Sequence, residues 1–105
     1  MKAFILGEGE GEVIYLNDTR YDKLIILGEP YSTIYKCIKR GINTITSLSN
    51  NNGKSIKYWK TKVDRMVEEG ILERFYEVED ARLVKYKVAD HIREVILPFY
   101  IFIVK

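Results

Sequence analysis

Residues 44–72, TITSLSNNNGKSIKYWKTKVDRMVEEGIL, constrain the fold of this chain more tightly than any other stretch. They read as two helices joined by a tight turn and followed by the start of a strand. Thr44 carries the hydroxyl of a helix N-cap, which accepts from a free amide of the first turn. Ile45 and Leu48 follow at helical spacing, so the first helix is short and buries a thin stripe. Asn50, Asn51, Asn52 and Gly53 stop it, because Asn and Gly tolerate the left-handed backbone of a sharp turn. Ser55 caps the second helix, whose apolar positions are Ile56, Trp59, Val63, Met66 and Val67, one face of a helical period. Lys57, Tyr58, Lys60, Thr61, Lys62 and Arg65 fall off that stripe. Gly70 supplies the left-handed residue that ends the helix.

The charge distribution singles out the same region. The net charge is +2, but residues 1–30 carry −3, residues 31–65 carry +7 and residues 66–105 carry −2. The basic segment holds Lys36, Lys39, Arg40, Lys54, Lys57, Lys60, Lys62 and Arg65 against Asp64 alone. A polyanion-facing surface needs such an excess. These cations could also form the solvated face of an ordinary amphipathic helix. Such a helix usually interleaves signs, and here Asp64 is the single acid among them.

Length and composition fit one domain, since 105 residues with 47% hydrophobic content support one modest core. No apolar run approaches the roughly 18 residues of a membrane span. A basic segment followed by an apolar run is absent from the start, so a cytoplasmic protein is expected. Cys37 is the lone cysteine, which excludes an internal disulfide and suits a reducing interior. Glutamine is absent while Ile, Lys, Glu and Tyr abound, a thermophile-like bias.

Around the central stretch, residues 1–6 and 13–16 read as strands, and Gly7, Gly9 and Gly11 between them favour a hairpin. Glu8 and Glu10 within that glycine run would repel phosphate, so it reads as an acidic turn rather than a nucleotide loop. Leu24, Ile25, Ile26 and Leu27 are ambiguous by periodicity; Asp18 as an N-cap tilts residues 21–27 towards helix. Pro30 and Gly41 bracket another helix, with Ile34, Cys37 and Ile38 on its buried face. Cys37 is expected to be a small core hydrophobe. Ile42 would add one short strand. Residues 71–78 and 83–88 form a hairpin in which Val84, Tyr86 and Val88 alternate with Lys85 and Lys87. Asp90 would cap a last helix holding Ile92, Val95 and Ile96. Pro98 interrupts it, and residues 99–104 are apolar on both alternating faces, which calls for cover by another strand or a second copy.

The spacing of Leu48, Gly53, Trp59, Val63, Met66 and the Gly70-Ile71-Leu72 step resembles the helix-turn-helix of winged-helix DNA-binding proteins. The nearest likeness is to small bacterial and archaeal regulators of the MarR and ArsR type. It covers residues 30–88, with Asn52 and Lys54 standing beside the turn glycine where that family usually has apolar residues. The resemblance implies an α+β winged helix with residues 75–88 as the wing; the residues outside it add an N-terminal extension over residues 1–29 with a β-hairpin, and an apolar segment at residues 89–105 expected to dimerise. The second helix of the pair would be the recognition helix.

The expected function is sequence-specific binding of duplex DNA by a transcriptional regulator acting as a homodimer. The expected DNA contacts are Lys54, Ser55, Lys57, Tyr58, Lys60, Thr61, Lys62 and Arg65, with Lys36, Lys39 and Arg40 on the backbone and Arg82 from the wing. Glu77, Glu79 and Asp80 near the wing tip oppose entry into a minor groove. Two alternatives are a winged-helix module that binds protein and a sequence-tolerant nucleic-acid binder that stacks bases on Tyr31, Tyr35 and Tyr58. His91 has no second histidine or clustered carboxylate, so no metal site is expected. No nucleophile, acid–base pair or cofactor loop is recognisable, so neither an enzyme nor a cofactor is expected.

Overall fold

The computed structural model describes residues 2–9, 11–79 and 82–95. In chain order these form β1 (Lys2–Leu6), β2 (Ile14–Asp18), β3 (Lys23–Leu27), α1 (Tyr31–Lys39), α2 (Ile45–Asn52), α3 (Ile56–Glu68), β4 (Leu72–Tyr76), β5 (Val84–Val88) and β6 (Ile92–Glu94). The class is α+β. A mixed four-stranded sheet has the order β1-β3-β2-β6, and β4 and β5 form a separate antiparallel pair.

The N-terminal strands do not pair as the glycine run suggests. β1 lies parallel to β3, and the hairpin is β2–β3, with Ile26 of β3 opposite both Ile5 and Tyr15. The glycine-rich linker instead carries the chain from one side of β3 to the other. There Glu8 N–H donates to the Glu29 carbonyl at 3.0 Å. A Cβ on Gly28 would lie 1.7 Å from the Glu8 carbonyl oxygen, so only glycine permits this approach. Residues 21–27 are likewise not helical. β3 has a strand on each side, with Ile25 and Leu27 fully buried on one face and Leu24 and Ile26 partly exposed on the other.

Asp18 caps no helix; it ends β2 and is fully buried. Arg20 donates to its two carboxylate oxygens through Nε at 3.2 Å and Nη2 at 3.0 Å. The Arg20 side chain thereby holds Asp18 below the usual carboxylate range, against the opposing effect of burial. The same turn is fastened across the molecule. Thr19 donates to the His91 carbonyl through both its N–H and its hydroxyl, each at 2.9 Å. His91 Nε2 donates to the Gly70 carbonyl at 2.7 Å, since a carbonyl can only accept. The helix expected after Asp90 is therefore a turn and strand β6, which pairs antiparallel with β2. Strand pairing overrides the cap signal of Asp90. Residues 99–104 and Ile96 lie outside the described residues, as do Asp80 and Ala81.

The helical half follows the sequence more closely. Pro30 is the N-cap position of α1, and Gly41 just past its end has φ 93°. Ile42 forms no strand; beside it the Asn43 carbonyl accepts from Tyr86 N–H at 3.0 Å. α2 continues through all three asparagines. Asn52 supplies its own last-turn bond, donating to the Leu48 carbonyl at 3.0 Å and towards the Cys37 thiol at 3.5 Å. Cys37 is buried, as expected of a core hydrophobe. Ile56 is the exception on the α3 stripe, 53% exposed at the helix start. One core joins the sheet (Leu6, Leu16, Ile25, Leu27) to Ile34, Trp59, Val63, Met66, Leu72 and Tyr86.

Asp18→Asn should lower stability by about 1–3 kcal/mol, because it takes the charge from a buried hydrogen-bonded pair. The folded pKa lies below the ordinary value of 3.8, so the stabilisation is present above it and is lost as pH falls through the folded value. Chemical denaturation at several pH values should therefore show less acid sensitivity below about pH 4 in the variant than in the parent.

Candidate nucleic-acid interface

The turn between α2 and α3 contains Gly53, Lys54 and Ser55, and side chains hold it at each residue. Trp59 Nε1 donates to the Gly53 carbonyl at 2.6 Å, and Ser49 Oγ donates to the Lys54 carbonyl at 2.8 Å. Ser55 Oγ accepts from Tyr58 N–H at 3.0 Å, capping α3. Thr44 and Ser47 make a reciprocal capping box at the start of α2. Gly53 and Lys54 both have positive φ, 76° and 65°. A lysine rarely adopts that region, so its backbone is strained there.

On α3, Trp59, Val63 and Met66 face the core, and helical spacing turns Lys57 and Thr61 outward, where both are exposed. The Lys57 ammonium makes no hydrogen bond or ion pair with any described residue, while its backbone carbonyl accepts from Thr61 Oγ1 at 3.0 Å. The cations further along are matched. Lys60 pairs with Asp64 at 3.0 Å, Asp64 also pairs with Arg74 at 3.0 Å, and Arg65 pairs with Glu69 at 3.1 Å. Burial works against the charged form of Asp64, but the Lys60 and Arg74 donors outweigh it and hold its carboxyl below the ordinary range. Signs interleave here as on an ordinary helix, and Glu68 and Glu69 fall just beyond the basic segment counted in the sequence. Along the turn and α3, the cations without an acidic partner among the described residues are thus Lys54, Lys57 and Lys62, in the turn and the first two helical turns.

A cleft of about 450 Å³ opens beside that region, between α3, the end of α2 and the Glu8–Glu29 approach. Lys54 Nζ lies 5.6 Å, and Lys62 Nζ 5.3 Å, from the centroid of the half-buried Tyr58 ring. Lys62 is also 5.9 Å from the Tyr31 ring, and Tyr58 meets Trp59 edge to face at 5.0 Å. Glu29 also lines the cleft, and its peptide bond to Pro30 is cis. Burial alone would raise its pKa, but the hydroxyls of Ser32 and Thr33 donate to its carboxylate and keep it below the usual value.

Of the twelve residues expected to meet DNA, Lys54, Ser55, Lys57, Tyr58, Thr61 and Lys62 share the turn and the N-terminal half of α3. Lys60 and Arg65 are on the helix but paired. Lys36 and Lys39 are tied to Glu12 and Glu94 of the N-terminal half and the β6 edge. Arg40 is exposed at the end of α1, its guanidinium 4.0 Å from Cys37 Sγ. Arg82 is exposed in the loop joining β4 and β5 and is not without a partner. Glu29 has no role in the sequence reading, where Glu8 stands only in an acidic turn and Asn52 only beside the turn glycine. The spacing of Glu29 to Ser32 and Thr33, three and four residues on, is the signal that could have found it. No family model matches the chain, and neither a curated protein nor a solved structure is significantly similar to it.

Lys54→Gly should preserve the fold and leave stability unchanged or higher by up to about 1 kcal/mol, because glycine relieves the positive φ. Lys54→Val, β-branched at the same φ, should cost about 1–3 kcal/mol. Thermal melts of the two variants against the parent measure the difference.

Proposed function

We propose that this protein is a winged-helix regulator that binds duplex DNA, with α3 as the recognition helix and the β4–β5 hairpin as the wing. The observation that carries this reading is the exposed Lys57, whose ammonium has no partner among the described residues, beside Thr61, Lys54 and Lys62 at the start of a helix held by its turn. A major-groove helix presents its N-terminal side chains to base edges. The order of α1, α2, α3 and an antiparallel hairpin supports it, as does the single bond from Tyr86 to Asn43 where a winged helix carries its first short strand. Lys57, Tyr58, Thr61 and Lys62 are the proposed base readers, and Lys54, Ser55, Lys60 and Arg65 the proposed phosphate contacts. Lys36, Lys39, Lys60 and Arg65 would first have to release their carboxylate partners, so their share is smaller.

The binding species is taken to be a homodimer. β1 is an edge strand whose Ile5 is 66% exposed, and a second copy is the simplest cover for it. A twofold pair would place two recognition helices about 34 Å apart on a palindromic site. Protein binding by the hairpin is the second reading. Tyr76, Val78 and Leu83 are exposed there beside Glu77 and Glu79, a surface suited to a partner protein rather than to phosphate.

Binding to a selected duplex should weaken as salt rises, with log K falling against log salt at a slope of roughly −5 to −7 for a dimer neutralising about 6–8 phosphates. Lys57→Ala should cost about 1–3 kcal/mol on that site and relax preference at one position. Gel retardation or fluorescence anisotropy at several salt concentrations measures both. A flat salt response would remove the DNA reading and leave the hairpin surface as the one to pursue.

A further inference from the structure

The cleft beside α3 sets an anchored carboxylate, which neither helix packing nor duplex binding requires, in one lining with two lysines of the proposed DNA face. Its volume of about 450 Å³ matches that of small-molecule sites. Its lining includes Lys54 and Lys62, whose ammonium groups both approach the Tyr58 ring and have no acidic partner among the described residues. The same lining holds the carboxylate residue Glu29, fixed by Ser32 and Thr33, and Glu8. Pro30, Tyr58 and Trp59 supply apolar lining. The strained backbone of Lys54 adds to the case. Asparagine tolerates positive φ better than lysine, and three asparagines precede the turn, yet a lysine occupies the position that presents its ammonium to the cleft.

We propose that this cleft binds a nucleoside monophosphate, its phosphate held by Lys54 and Lys62 and its ribose hydroxyls or base amino group donating to Glu29. An ammonium is a point-charge donor to phosphate oxygens. A carboxylate accepts the sugar hydroxyls, as in dinucleotide sites. The acidic turn at Glu8, unsuited to phosphate, suits the donor-rich end of such a molecule. This site is separate from duplex recognition by Lys57 and Thr61, but Lys54 and Lys62 would serve both. A bound nucleotide should therefore lower affinity for duplex DNA.

Isothermal titration of the full chain with AMP, GMP, CMP and UMP tests the proposal, with inorganic phosphate and the matching nucleosides as single-ended probes. At least one nucleotide should bind about tenfold tighter than either of its halves, a difference of about 1.4 kcal/mol. Lys54→Gly and Lys62→Ala should each weaken it about tenfold or more, with the fold checked by thermal melting. Glu29→Gln should erase the advantage of the nucleotide over inorganic phosphate. Lys57→Ala should weaken duplex binding while leaving nucleotide affinity intact, so each reading can fail without the other. Nucleotides binding no tighter than inorganic phosphate, or indifference to both lysine substitutions, would overturn the proposal.

Discussion

The indole of Trp59 governs how the two central helices meet. Its ring is buried in the core between sheet and helices, and its one polar atom donates to the Gly53 carbonyl at the head of the turn. Burial of the ring and satisfaction of its N–H are therefore a single event. A carbonyl in a left-handed turn has no helical partner, and leaving it without one would cost the turn its geometry. Truncation of such a residue typically costs about 3–5 kcal/mol, and here it would also release the angle between α2 and α3. Every surface feature of α3 inherits its position from that contact.

The second fastening lies at the other end of α3. Gly70 ends the helix with φ 78°, and the space beside it is filled by Arg20 and His91 rather than by a side chain of its own. Arg20 is held by buried Asp18, and the His91 carbonyl is held by Thr19. The β2–β3 turn, the α3 terminus and the β5–β6 corner thus meet in one polar junction. The N-terminal sheet belongs to the same core as the helices, and a change at Asp18 should be felt in the helical half.

The helical elements could be read from the sequence because their signals are local. Thr44, Ser55 and Gly70 act on bonds within one turn of themselves, and the apolar stripe of α3 needs no knowledge of its partner. The strands could not be read in the same way. The Leu24–Leu27 run is apolar at every position, and only the presence of β1 and β2 on its two sides makes it a strand. Asp90 looks like a cap until β2 supplies a partner for Ile92 and Glu94. The candidate site divides along the same line. Lys57 and Thr61 follow from helical spacing, whereas the Glu29 part of the cleft depends on Gly28 meeting Glu8, a contact between residues twenty positions apart. Pairing of Arg65 with Glu69 and of Lys36 with Glu12 likewise thinned a charge excess that looked larger in the sequence.

The face that α3 turns outward is the central claim, and amide chemical-shift mapping tests it most directly. The isotope-labelled chain would be titrated with a short duplex at low salt, and backbone shifts followed residue by residue. Shifts concentrated on Lys54, Ser55, Lys57, Tyr58 and Thr61, with the Glu12 and Glu94 neighbourhood still, are the result expected. Shifts centred on Tyr76, Val78 and Leu83 without α3, or none at any duplex concentration, would contradict the assignment of α3 as the recognition helix.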